Sequence, residues 1–271
     1  MKLRKLGILS LIAHALTAVF SLTGTWALYN LKNVPDWDYS ALTFWLGIAN
    51  IVTGVLTAFL LMAHHEGWFS AWTLLVLCTV LAGGMELLGT TTGIPFGAYQ
   101  YTDLLGPKFL GHVPYLIPPS WMMMLYPAMV LTHALQVHPV VRPVVAGFVL
   151  TVWDFAMDPA VTTGFAYWLW ETDGAFYGMP LQNWLGWWFT GALVAAAFYG
   201  VHKKWKGTWD WATLALYLIQ GAFMAGLAWI YMRPTATVLW AASVAALLAL
   251  VRWRTRKPVI SGAMQWRTLS S

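Results

Sequence analysis

Charge is scarce in this sequence. Asp, Glu, Lys and Arg together make up 9% of its residues, against about a quarter in an average soluble domain. So few charges cannot cover a water-exposed surface, and no polar stretch is long enough to fold as a separate soluble unit. Cysteine is scarcer still. Cys78 is the single one, so no intrachain disulfide can form. The seven histidines are scattered, with one adjacent pair, His64-His65. That argues against the histidine clusters of membrane di-iron oxygenases, and no zinc-ligand spacing is present. No lysine falls in the middle of an apolar run, which argues against a retinal Schiff base. A phosphate-cradling glycine-rich loop and a Gly-x-Ser-x-Gly elbow are also missing.

What fills the chain instead is apolar. Hydrophobic residues make up 59% of it, and mean hydropathy is +0.63. A helix crosses a bilayer core of about 30 Å with about 20 mostly apolar residues. Eight such runs are present, at roughly 6–29, 41–63, 70–88, 119–137, 141–158, 183–201, 209–231 and 235–251. The first is too long for a signal-peptide core and lacks a clear cleavage site, so it reads as a retained helix. The expected fold is all-α, a polytopic transmembrane helical bundle of about eight helices. Residues 1–254 form one membrane domain and 255–271 a short cytoplasmic tail.

The basic residues suggest an orientation. With the N-terminus inside, twelve of the fifteen Lys and Arg residues fall on the cytoplasmic side. Only Lys32, Lys108 and Arg233 fall on the far side. This follows the positive-inside rule and places both termini in the cytoplasm of a multi-pass cell-membrane protein. The pI of 9.3 therefore reports orientation, with no nucleic-acid partner implied.

Two far-side connections, 89–118 and 159–182, are rich in Gly, Pro and aromatics instead of polar residues. Apolar irregular backbone at membrane depth is tolerated only where protein covers it or it lines a cavity. Both segments are expected to fold over the helix ends as lids. Beneath them lie three acidic residues inside apolar runs: Glu86, Asp154 and Asp158. Each costs about 2.5–3.5 kcal/mol at a helix centre on insertion scales, so each is a functional candidate by default. Asp154 and Asp158 are four apart and share a helix face. Pro159 follows at once, so Asp158 is expected at a helix C-terminus. Burial, a like-charged neighbour and that position favour a carboxyl holding a proton it can donate. Asn183 opens the sixth helix and reads as an N-cap or a site residue. Asn50 and Gln220 read as interhelical partners and His133 as structural. Tyr99, Tyr101 and Asp103 lie in the first lid within reach of the carboxylates. Trp121, Trp153 and Trp170 suit a flat apolar substrate.

These features leave several chemistries open. Buried carboxylates relay protons in transporters, although no inverted repeat is evident. Asp154 to Asp158 resembles one of the two Asp-rich motifs of Mg²⁺-dependent prenyltransferases, but the second motif is missing.

Longer motifs narrow the choice. The stretch Glu86-Leu-Leu-Gly-Thr-Thr-Thr-Gly-Ile-Pro-Phe-Gly-Ala-Tyr-Gln-Tyr-Thr-Asp103, then Leu105-Gly-Pro-Lys108 and Ile117-Pro-Pro-Ser-Trp121, resembles the CruF-type carotenoid hydratases. So do Trp153-Asp-Phe-Ala-Met-Asp-Pro159 and Gly174-Ala-Phe-Tyr-Gly-Met-Pro-Leu-Gln-Asn-Trp-Leu-Gly-Trp187. That family includes carotenoid 1',2'-hydratases and bisanhydrobacterioruberin hydratases. The resemblance covers residues 81–190 or so. It implies a cofactor-free, metal-free hydro-lyase that takes its carotenoid from the bilayer and adds water across the terminal double bond of an acyclic end group. Lycopene, γ-carotene and bisanhydrobacterioruberin are the substrate types implied, and a downstream glycosyltransferase is the implied partner that would consume the tertiary alcohol. Glu86, Asp154 and Asp158 would be catalytic, with Tyr99, Tyr101, Asp103, Trp121, Trp153, Trp170 and Asn183 shaping the site. A carotenoid cyclase or isomerase would use the same acid without the water.

Overall fold

The computed structural model describes residues 2–34 and 37–256. Beyond residue 256, the expected tail lies outside the described residues. Among the described residues, eight long helices order the chain. They are α1 (Lys2–Asn30), α2 (Tyr39–Glu66), α3 (Trp68–Thr92), α4 (Ile117–Ala134), α5 (Arg142–Ala160), α6 (Gln182–Val201), α7 (Trp211–Ile230) and α8 (Pro234–Arg256). Seven are long and apolar enough to cross a membrane. Without water in the bilayer core each backbone group must be satisfied within its own segment, which a helix achieves. The helices start and stop where local chemistry directs. Asp38 caps α2 by accepting from the Ala41 N–H at 2.9 Å. Gly67, at φ 86°, separates α2 from α3 in a single residue, a backbone conformation open chiefly to glycine.

The remaining helix, α4, has 18 residues and sits innermost. Every residue from Trp121 to Thr132 is buried. A helix covered on all sides needs no amphipathic stripe. Leu16, Trp45, Phe69 and Val80, on other helices, stay exposed, as lipid-facing side chains should. α5 packs most extensively on α6, and α1 on α2. Small residues allow the first contact. A Cβ added at Gly191 would lie 2.7 Å from Leu150 Cδ2 and 3.1 Å from the Cα of Gly147, the close approach that drives helix association in lipid.

Two helices are irregular near the acidic residues. In α3 a π-helical turn spans Cys78–Ala82, just before Glu86. In α5 the structure corrects the expected helix end. The helix runs through Pro159 to Ala160 and continues as a π turn over Val161–Phe165. Pro159 cannot donate to the carbonyl four residues back, and the wider turn absorbs the defect. Asp158 therefore lies within the helix and not at its C-terminus.

The connections after α3 and α5 pair with each other. Strand β1 (Tyr99–Tyr101) runs antiparallel to β4 (Trp168–Trp170), with Tyr99 opposite Trp170 and Tyr101 opposite Trp168. Bonds from the Thr102 N–H to the Tyr167 carbonyl and from the Glu171 N–H to the Ala98 carbonyl, both 3.0 Å, extend this ribbon. A second small ribbon joins β2 (Lys108–Phe109) to β3 (Val113–Pro114).

Candidate active site

The β1–β4 ribbon explains how the aromatics meet the acids. Side chains alternate across a strand, so Tyr99 and Tyr101 share one face and Trp168 and Trp170 share the matching face. Gln100 and Leu169 point the other way and are exposed. The four rings converge on two carboxylates. Glu86 is 3% exposed. Its Oε2 accepts from the Tyr99 hydroxyl and, at 2.9 Å, from the Tyr101 hydroxyl. Its Oε1 accepts from Trp121 Nε1 at 3.1 Å. Asp158, 1% exposed, accepts from Trp170 Nε1 on Oδ1 at 3.1 Å and from Trp168 Nε1 on Oδ2 at 3.2 Å.

Asn183 ties the second carboxylate to the third. Its Nδ2 reaches Asp158 Oδ2 at 3.3 Å and Asp154 Oδ2 at 2.9 Å. It projects from the first turn of α6 and is buried, so it is a site residue; the N-cap position is Leu181. Asp154 is wholly buried, and its Oδ1 has no hydrogen-bond partner among the described residues.

A cavity of about 160 Å³ lies beside these groups. Glu86, Asp158, Asn183, Tyr99, Tyr101, Trp121, Trp153 and Trp170 line it, and Asp154 does not. The remaining wall is mostly apolar, reaching between α1 and α2 past Phe20, Leu28, Leu42 and Leu46. Trp121 and Trp187 stack at 4.1 Å between centroids, and Trp153 meets Trp187 edge-on at 5.6 Å. Phe96 anchors the first connection between two bare glycine faces. A Cβ on Gly89 would lie 2.7 Å from Phe96 Cδ2, and one on Gly186 would collide with Phe96 Cδ1.

Nine of the ten residues singled out in the sequence are thus neighbours. Asp103 is the exception. Its side chain is 97% exposed and pairs with Lys108 Nζ at 2.8 Å, outside the cavity. A single turn of 3₁₀ helix over Asp103–Leu105 turns it outward after β1 ends. Trp168, Trp187 and Phe96 join the site without having been singled out. The signal for Trp168 was available: Trp168-x-Trp170 repeats the two-residue spacing of Tyr99-x-Tyr101, which puts each pair on one strand face.

In the described chain, then, an apolar cleft ends in two hydrogen-bonded carboxylates among aromatic rings. Such a site can exchange a proton and stabilise a cation next to an apolar ligand. The family model for carotenoid biosynthesis proteins matches residues 46–252. Over 129 residues the chain is 34% identical to a bisanhydrobacterioruberin hydratase of Haloarcula japonica. That match takes in 46% of this chain and 43% of the relative, so the chain spans under half the length of that curated protein. No solved structure matches. By the family match, the chain is a multi-pass membrane member of the carotenoid biosynthesis protein family.

Proposed function

We propose that the protein is a carotenoid hydratase. It would add water across the terminal carbon–carbon double bond of an acyclic carotenoid end group and form a tertiary alcohol. The observation that carries this reading is a mostly apolar cavity among the long apolar helices with two carboxylates, Glu86 and Asp158, in its wall. The 34% identity to a bisanhydrobacterioruberin hydratase supports it.

The chemistry sets demands that these residues meet. An isolated trisubstituted alkene is a feeble base, so a positioned acid must protonate it. A carboxyl of Asp158 or Glu86 gives its proton to the less substituted carbon, using the electron pair of the double bond. The tertiary cation left behind is stabilised by the second carboxylate and by the faces of Trp121, Trp153 and Trp170. Water bonds through oxygen to the cationic carbon, and the proton it sheds goes to the second carboxylate. Tyr99 and Tyr101 hold Glu86 in place. Asp154, outside the cavity wall, acts as a positioning residue through Asn183. The β1–β4 ribbon serves as the lid that keeps bulk water from the cation. The substrate dissolves only in lipid and enters from the bilayer. The termini lie in the cytoplasm of the cell membrane, and a glycosyltransferase that consumes the alcohol would draw the reaction forward.

A cyclase would share the acid and the cation, and product mass separates the two. Expression in a host accumulating lycopene, with pigments read by chromatography and mass spectrometry, should give a more polar pigment heavier by one water with an unchanged chromophore. An isomeric product of unchanged mass would select the cyclase. Unaltered pigment across lycopene, γ-carotene and bisanhydrobacterioruberin hosts, with protein in the membrane, would refute the reading.

A further inference from the structure

The carboxylate cavity is small for the ligand its chemistry suits. Its volume is about 160 Å³, and a cavity of that order holds a molecule such as benzene. A carotenoid can therefore place only its end group there, and the rest of the chain must leave through an opening. The exposure of the lining residues locates that opening. Among the described residues that line the cavity, four are exposed: Phe20, Gly24, Leu28 and Trp37. All four come from α1 and its connection to α2. The others are buried or half-buried, those around the carboxylates included. Phe20, Gly24 and Leu28 are spaced four apart and form one stripe along α1. Leu42 and Leu46 of α2 also line the cavity. Both helices are long and apolar enough to cross a membrane, so the opening faces sideways, toward lipid.

The two helices are closed on each other at one end and open at the other. Near the start of α1, a Cβ added at Gly7 would lie 2.9 Å from Leu61 Cδ2 of α2. Further along, Ser10 Oγ donates to the Thr53 carbonyl at 2.9 Å, and Asn50 Nδ2 donates to Thr17 Oγ1 at 3.3 Å. At Gly24 the contact has gone, and an added Cβ would meet nothing within 4 Å. Glycine is a poorer helix former than alanine, and no neighbour requires it there. What its bareness provides is room at the mouth of the cavity. We infer that the cleft between α1 and α2 is a lateral portal: the acyclic end of a carotenoid passes through it from lipid to the carboxylates, and the polyene behind it stays in the cleft against Gly24. The opening belongs to the fold, while its occupant rests on the hydratase reading. One selectivity follows. The protein reads one end of the molecule, and the far end, still in lipid, goes unread.

The test compares wild type, Gly24→Trp and Gly200→Trp as full chains in lipid nanodiscs. Gly200 is the matched control: an exposed helical glycine whose added Cβ also meets nothing within 4 Å, away from the cavity wall. An indole at Gly24 fills space that the polyene needs. Overfilling of this kind should raise KM for lycopene by about tenfold, with kcat kept, because the surroundings of the end group are untouched. Gly200→Trp should stay within about twofold of wild type in both, as surface changes do. Gly24→Ala should restore the wild-type KM. Leu28→Trp fills the mouth one turn further on and should reproduce the effect, which keeps the test intact if Gly24→Trp does not accumulate. Unchanged KM in both mouth variants would overturn the portal. Lycopene and γ-carotene share an acyclic end, so their kcat/KM values should be similar; a preference of about tenfold or more would overturn the one-end reading. Carotenoid retained per purified chain needs no turnover, and Gly24→Trp should lower it severalfold. A wild type that retains lycopene without hydrating it, with retention lost in Gly24→Trp, would refute the hydratase reading and leave the portal standing. Equal retention in wild type and Gly24→Trp would overturn the portal whatever the activity.

Discussion

Replacing Asn183 by leucine should slow the proposed reaction more than losing the Trp168 donor does. Leucine matches asparagine in size, so the change removes hydrogen bonds with little change in packing. Nδ2 is the donor shared by Asp154 at 2.9 Å and Asp158 at 3.3 Å. Asp158 would keep Trp168 and Trp170. Asp154 would keep none among the described residues, because its Oδ1 already lacks a partner. Leaving a buried acceptor unpaired costs about 1–3 kcal/mol, and more for a charged one. At about 1.4 kcal/mol per tenfold, turnover should fall about ten- to a hundredfold if the transition state bears the cost. Trp168→Phe is the comparison. It removes one of three donors to Asp158, worth about 0.5–1.5 kcal/mol, and should cost at most about tenfold. The assay is alcohol formed per unit of membrane-localised protein, read by chromatography with mass detection. If Asn183→Leu keeps half of wild-type turnover, or if Trp168→Phe is the more damaging change, the shared-donor argument is wrong.

Other substitutions divide the three carboxylates. Glu86→Gln and Asp158→Asn should each lower product by more than about a hundredfold at normal protein levels, consistent with loss of an acid or base; Asp154→Asn should cost less, since Asp154 does not line the cavity. Asp103→Asn should leave turnover within about twofold, because the Asp103 side chain is 97% exposed and lies outside the cavity, and a solvent-screened ion pair contributes under about 1 kcal/mol. Gly186→Val should displace Phe96 and reduce both turnover and thermal stability, measured by melting in detergent. Acid should loosen the bundle end near Asp210. Burial pushes this carboxyl up, but hydrogen bonds from His65, the Ala212 N–H and Arg4 outweigh it and hold Asp210 below the usual carboxylate range. A lowered folded value gives stability that is present above the unfolded value of about 3.9 and lost as pH falls through the folded one. Melting temperature should therefore drop below about pH 4 in the wild type and respond less in Asp210→Asn.

The carboxylate site could be anticipated in part because its members are anomalous in their surroundings. Acids in apolar runs are costly, and aromatic, glycine-rich loops are unlike solvated ones. Trp168 and Trp187 escaped notice because tryptophan is also the common residue of membrane interfaces, and nineteen of them dilute the signal. Asp103 misled for the opposite reason. An acid two residues beyond Tyr101 shares its strand face only if the strand continues, and the 3₁₀ turn at Asp103 ends it.

The sequence by itself determined that this chain is a bundle of membrane helices, where those helices run, and that Glu86, Asp154 and Asp158 are its anomalous charges. Composition suffices for this because a hydrocarbon solvent leaves the backbone almost no choice but the helix. It also carried the family resemblance that the match to carotenoid biosynthesis proteins bears out. Tertiary structure alone decided which donor meets which oxygen. Tyr99 and Trp170 lie far apart in sequence yet pair across one ribbon, and that register depends on how the two connections pack over the helix ends. It also placed α4 at the centre, carried α5 past Pro159, and set Asp154 behind the cavity wall while Asp158 faces it. Those outcomes depend on the rotation and depth of each helix against its neighbours, which packing fixes and hydropathy does not encode.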